Sequence, residues 1–140
     1  MKVIFDTNVI IDVYQNRTPY VAASAKVLKL AESHKFSGMV TANVITDVYY
    51  ILGRHIKDRA QLRMLVQKFL STVKLLDVLA ADVTEAFNLP MSDFEDALLA
   101  QVAKRVKADY IITRNLKDFA NSPVPCMEPD VFLDKFFGGK

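Results

Sequence analysis

The chain opens on an apolar run, Val3-Ile4-Phe5, which breaks on Asp6-Thr7-Asn8 and resumes at once with Val9-Ile10-Ile11. Lys2–Phe5 is short, apolar and rich in β-branched residues, which predicts a strand. Val9–Tyr14 predicts the start of a helix that closes near Asn16-Arg17-Thr18-Pro19. Apolar residues recur at helical spacing across Tyr20–His34, with Val21, Ala25, Leu28 and Ala31 as the expected inner face and Gly38 ending the segment. Gly38–Thr41 predicts a second strand. Asn43–Arg54 predicts a helix despite its β-branched content, because Val44, Val48, Ile51 and Leu52 fall on one face. Asp58–Leu70 is a clearer helix, with Leu62, Leu65, Val66, Phe69 and Leu70 on one side, and Val73–Val78 predicts a third strand.

Further along, Asp82-Val83-Thr84-Glu85 resembles a capping box for a short helix ending near Pro90. Ser92-Asp93-Phe94-Glu95 is a better box and opens a helix to about Lys107, with Leu98, Leu99, Val102 and Val106 inward. Asp109–Thr113 predicts a fourth strand, Val124–Met127 a short fifth and Asp130–Phe137 a final helix, after which the Gly-Gly-Lys end is expected to fray. Strands alternating with helices through short loops predict an α/β fold with a mainly parallel sheet of four to five strands. With no repeat, low-complexity tract or linker, residues 1–140 read as a single domain.

Composition narrows the class. A chain of 140 residues, 51% hydrophobic and 24% charged, belongs among globular domains and not disordered ones. No apolar stretch approaches the ~20 residues that span a bilayer, and the N-terminal segment is not organised as a signal peptide. The one cysteine, Cys126, excludes an intramolecular disulfide. The expectation is a cytoplasmic protein that makes no use of a membrane. The formal net charge of +2 gives no broad nucleic-acid footprint and leaves room only for a local basic patch. The four glycines cannot be written into a phosphate-binding loop or a dinucleotide motif, and no nucleophile elbow is present. His34 and His55 stand apart without metal-ligand spacing. Histidine-ligated zinc, Cys-His chemistry and nucleotide binding are disfavoured, so enzymatic chemistry would come from carboxylates.

In open parallel sheets, function collects beyond the carboxyl ends of the strands. Asp6 and Asn8 follow the first predicted strand; Arg114 and Asn115 follow the fourth, with Asp118 a turn further on. Asp47 sits at the margin of the apolar face of its helix, and Asp93 and Asp96, three apart, share a side of theirs. Such an oxygen-rich set suits Mg²⁺ or Mn²⁺. Without a cation these carboxylates would repel one another; with one or two ions they would suffice for phosphodiester hydrolysis. Each also has an ordinary reading: a turn for Asp6 and Asn115, a surface charge for Asp47 and Asp118, and a dipole-stabilised first-turn acid for Asp93. Asp96 lies on an otherwise apolar helix and is the hardest to explain in that way. Asp12, Asp58, Asp77, Asp82, Asp109, Asp130 and Asp134 read as structural.

Taken in order, Val3-Ile4-Phe5-Asp6-Thr7-Asn8, Thr41 through Asp47, Asp96-Ala97-Leu98-Leu99-Ala100, Ile112-Thr113-Arg114-Asn115 and Lys117-Asp118-Phe119 resemble PIN-domain nucleases, in particular the small VapC-type toxins. The match covers essentially the whole chain. The resemblance implies a three-layer α/β/α sandwich and a metal-dependent endoribonuclease, the toxin component of a type II toxin–antitoxin system. It puts Asp6, Asp47 and Asp96 at the family's catalytic, metal-binding acid positions, with Asp118 or Asn115 completing the site and Asp93 near its rim. Asn8 and Thr113 would orient the ligands by hydrogen bonds. It further implies one or two Mg²⁺ or Mn²⁺ ions, an RNA substrate, a cognate antitoxin protein and a homodimer. Two departures stand out: Asp47 occupies a position where such proteins commonly carry Glu, and neutral Asn115 stands at the fourth acid position.

Arg114, beside the acids, is a candidate phosphate contact. Arg54, His55, Lys57, Arg59 and Arg63 form the densest basic stretch, either a guide for an RNA backbone or a solvated helix end. The rival from another class is a PIN-fold protein that binds RNA or protein without cutting. A haloacid-dehalogenase-like phosphatase would need a second Asp where Asn8 stands.

Overall fold

Val3, Ile4 and Phe5 are wholly buried because their strand, β1 (Lys2–Phe5), lies at the centre of the sheet. A computed structural model of the chain describes residues 1–138, so the expected fraying at Gly139 and Lys140 lies outside the described residues. The other strands are β2 (Ser37–Thr41), β3 (Lys74–Leu76), β4 (Tyr110–Ile112) and β5 (Cys126–Met127). They run in the order β3-β2-β1-β4-β5, each pair parallel. A parallel strand covered on both faces is apolar throughout, which is why the first one shows no alternation.

The helices are α1 (Thr7–Tyr14), α2 (Val21–Glu32), α3 (Ala42–Gly53), α4 (Arg59–Leu70), α5 (Ala80–Ala86), α6 (Phe94–Arg105) and α7 (Pro129–Phe137), with a one-turn 3-10 helix at Leu116–Phe119. Crossovers from β1 to β2 to β3 move one way along the sheet, and the crossover from β3 to β4 moves back. Right-handed connections therefore put α1–α4 over one face and α5–α6 over the other, an α/β/α sandwich. Packing follows suit: α1 meets α2 and α3, α5 meets α6, and α6 lies against β4.

Local details depart from the sequence expectations for physical reasons. The buried face of α2 is Ser24, Val27, Leu28 and Ala31, rotated away from Val21 and Ala25. Gly38 does not end the preceding helix but lies buried within β2. A Cβ there would meet the Ala31 Cβ at 2.6 Å and the Phe5 ring at 2.9 Å, so the close approach of α2 to the sheet requires glycine. The short α5 begins at Ala80, and Asp82 caps it from within the first turn, accepting a hydrogen bond from the Leu79 N–H at 2.9 Å. In α6 the N-cap is Asp93 and not Ser92; its carboxylate accepts from the Asp96 N–H at 3.0 Å. The final helix docks on the core: Phe132 is fully buried and its ring meets Phe36 edge-on at 5.2 Å. Gly138 closes α7 in the left-handed conformation, φ +67°.

Candidate active site

The progression of strands along the sheet reverses at β1 and β4, so the carboxyl ends of these two parallel strands flank a crevice. Asp6 sits in it. Its backbone N–H donates to the Ile112 carbonyl at 3.0 Å, extending the ladder between the two strands by one residue. Its side chain caps α1, accepting from the Thr7 N–H at 2.8 Å. The other carboxylate oxygen accepts from the Thr113 hydroxyl at 2.8 Å and the Asn8 amide at 3.3 Å. The polar break in the opening apolar run is thus a strand end turned straight into a helix cap.

Thr113 ties the two strand ends together. It is fully buried, and its Oγ1 also accepts from the Asn115 N–H at 3.0 Å and lies 3.4 Å from the Asn8 amide donor. Asn8 in turn accepts from the Arg114 N–H at 3.3 Å. These contacts leave Asp6 little freedom to rotate.

A cavity of about 460 Å³ opens over Asp6. Asp47 reaches it from α3, Asp96 from α6, and Asn115 and Asp118 from the turn after β4; Asp93 and Glu95 stand at the N-terminus of α6. Asn8 lines it as well. Residues from four separate parts of the chain, on both faces of the sheet, converge there.

Their charges act on one another. Burial raises the Asp6 carboxyl, and the charges of Asp118 and Asp47 add to it, against the opposing hydrogen bond from Thr113. Asp96 is pushed up to about 7 by burial and then by Asp6, Asp93, Asp118 and Glu95. Burial raises Asp47, and Asp47 in turn is the main cause of the raised Glu95 carboxyl. Clustered acids held in this way are relieved by a cation. The donors are all oxygens, the set that hard divalent cations take, and Mg²⁺ keeps several waters beside one or two carboxylates. Among the described residues, however, no three acids are gathered closely enough to hold one ion by themselves. The donor chemistry fits such an ion; direct chelation by the full set would require side-chain rotation.

Arg114, expected from its place beside the acids to contact phosphate, does not line the cavity. Its guanidinium is taken up by the fully buried Asp12, with Nη2 donating at 2.9 Å, and stacks on the Tyr20 ring at 3.9 Å. An arginine held on both sides this way is structural. Arg17 is the cation that lines the acidic cavity among the described residues, and it is exposed. Arg54, Lys57 and Arg59 do not reach the acids; they line an adjoining groove of about 440 Å³. Tyr50 lines both. Glu95, Arg17 and Tyr50 are residues that sequence reasoning missed. The sequence pattern puts Glu95 in a helix cap and Arg17 in a turn.

The PIN domain family model matches residues 2–117. Ribonuclease VapC1 of Aquifex aeolicus is 25% identical over 143 residues, covering 96% of this chain and 95% of that protein. Among solved structures, VapBC2 from Rickettsia felis bound to a promoter DNA fragment superposes with a TM-score of 0.70 at 18% identity, over 91% of this chain and 98% of that one. DNA-bound VapBC from Salmonella typhimurium gives a TM-score of 0.70 at 16% identity, over 92% and 98%. At these identities the structural likeness is one of fold.

Proposed function

The chain belongs to the PIN domain family, and from that premise we propose that it is a metal-dependent endoribonuclease hydrolysing RNA phosphodiester bonds, the toxin of a toxin–antitoxin pair. The observation that carries the reading is the convergence of Asp6, Asp47, Asp96 and Asp118 on one cavity, where burial and neighbouring carboxylates raise the Asp6 and Asp96 carboxyls. The ribonuclease among its relatives and the toxin–antitoxin complex from Klebsiella pneumoniae among the structures of like fold support the substrate and the partner. A single domain spanning the chain, action in the cytoplasm and a homodimer complete the proposal.

Asp6, Asp47 and Asp96 would hold the cation, Mg²⁺ or Mn²⁺, with Asp118 and Asn115 supplying further oxygens. The ion, when bound, would polarise a phosphate oxygen and make a water more acidic. Thr113 and Asn8 fix the rotamer of Asp6, so its ligating oxygens need no reorganisation. Glu95, exposed at the mouth and raised by Asp47, accepts the proton released by the attacking water. Arg17 pairs with a phosphate oxygen of the substrate.

A second reading, an RNA- or protein-binding PIN protein without cleavage, is favoured by two observations. The acids are not gathered for direct chelation, and the shorter Asp47 stands where Glu is common in the family. One experiment separates the two: cleavage of labelled RNA with Mn²⁺ or Mg²⁺ against an EDTA control, for the wild type and Asp96→Asn. Cation-dependent cutting that is lost in the variant supports the nuclease. Cutting that survives both EDTA and the substitution removes this mechanism, and RNA binding without cutting supports the second reading.

A further inference from the structure

Helix α3 and its C-cap residue, Arg54, present three chemically distinct groups toward the surface in a row. Asp47 faces the acidic cavity, Tyr50 lines both that cavity and the basic groove, and Arg54 lines the groove. Their spacing of three and then four residues puts them about 4.5 and 6 Å apart along the helix axis, on one side of it. Tyr50 is 67% exposed. Arg54 lies 5.0 Å from its centroid, which steadies the ring while leaving most of its surface open. Beyond it, Arg54, Lys57 and Arg59 supply three exposed cations in a protein whose net charge is only +2.

We propose that Tyr50 is a positioning residue: it stacks a base of a single-stranded RNA beside the acidic cavity, while Arg54, Lys57 and Arg59 hold the phosphates that continue the strand along the neighbouring groove. The proposal rests on the nuclease reading for its substrate. The chemistry favours a single strand, because stacking needs an unpaired base face and every base has one. A cation groove next to an aromatic ring next to an acidic centre also gives the strand a direction. The acids repel phosphate until a cation is bound, and the groove attracts it throughout. The register of the strand is then set by α3 itself, a rigid element, with the base on Tyr50 neighbouring the phosphate that faces Asp47. An ordinary helix-surface pair between Tyr50 and Arg54 would account for their contact, but not for a ring that joins two cavities of opposite charge.

The test is binding of a fluorescein-labelled short single-stranded RNA, by anisotropy, with Mg²⁺ present and in an Asp96→Asn background that prevents turnover. Tyr50→Ala should weaken binding about 5- to 100-fold and Tyr50→Phe by less than about twofold. A fully paired duplex should not distinguish the two. Replacing Arg54, Lys57 and Arg59 together by Gln should lower the salt slope of binding by about 2. Where the wild type cleaves, Tyr50→Ala should raise KM more than it lowers kcat. Cleavage by the wild type with unchanged binding and KM in Tyr50→Ala overturns this proposal and leaves the nuclease standing. Tyr50-dependent binding without cleavage by the wild type does the reverse. No binding of single-stranded RNA by the Asp96→Asn protein with Tyr50 intact overturns it outright.

Discussion

Asp6 is held by the Thr7 N–H, the Thr113 hydroxyl and the Asn8 amide, more restraint than a helix cap requires. Thr113→Val tests what that restraint is for, since it keeps the side-chain shape and removes the hydroxyl. Partners of this kind contribute roughly 10- to 100-fold to metal affinity in sites where they orient a ligand. Calorimetric titration with Mn²⁺ should show a loss of that size, with Thr113→Ser largely restoring it. Unchanged affinity would mean that Asp6 is oriented by the backbone alone. At this scale the sequence was informative where a polar residue interrupted an apolar run, as at Asp6 and Thr113. It misled at Arg114, because adjacency in the chain does not say on which side of a turn a long side chain leaves. The buried Asp12, a turn and a half into the structure from Asp6, is what draws it away. Glu95 was hidden by its neighbour: either Ser92 or Asp93 would serve as a cap, and only the backbone decides which one frees the next acid for the cavity.

Among the elements, α5 and α6 are joined by an ion pair that no periodicity reveals. Asp82 is fully buried, and Arg105 donates from Nε to both carboxylate oxygens at 3.0 Å and from Nη2 to the Asp77 carbonyl at 2.9 Å. Burial works to raise the Asp82 carboxyl, but the bonds from Arg105 and the Leu79 N–H, with the Arg105 charge, hold it below the usual value. Arg105→Met would leave a buried carboxylate half satisfied and should cost about 2 kcal/mol, read from urea unfolding at neutral pH. A carboxyl depressed in the folded state gives stability that is present above its unfolded pKa of about 3.9 and is lost as pH falls through the folded value. The gap between wild type and variant should therefore close in acid, as pH falls below the ordinary carboxylate range. Gly38→Ala tests a second contact, between α2 and the sheet. The added methyl meets Ala31 and the Phe5 ring closer than carbon atoms pack, so a loss of about 1–3 kcal/mol is expected, with a lowered Tm. Helix positions were legible because a period of 3.6 persists over several residues, and the buried parallel strands because each is a short apolar run between helices. The one-turn helix at Leu116–Phe119, the start of α5 and the role of Gly38 were not, because each depends on what packs against it from elsewhere.

The whole molecule adds what neither residues nor elements contain: a strand order. Alternating strands and helices predicted a parallel sheet, but not that β1 would lie between β2 and β4. That order brings Asp47, from a helix on one face, and Asp96, from a helix on the other, to the same crevice as Asp6. The consequence is a fold that is stressed at its own site, and the stress has a sign. Asp96 is raised to about 7 in the folded protein, from an ordinary value of 3.8. A group raised in this way gives stability that is fully present below the unfolded pKa and is lost as pH rises through the folded one. Asp6, Asp47 and Glu95 are raised as well and act in the same direction. In EDTA the Tm should fall as pH rises from about 4 through about 7, and Asp96→Asn should flatten that fall and be the more stable protein above it. A divalent cation competes with the protons, so Mg²⁺ should raise the Tm more on the alkaline side than on the acid side. At a hundredfold excess over its Kd the gain should approach about 2.7 kcal/mol. A Tm indifferent to Mg²⁺ and level across this range would show that the acids do not share one site. A gain retained in full by Asp96→Asn would move the ion away from α6.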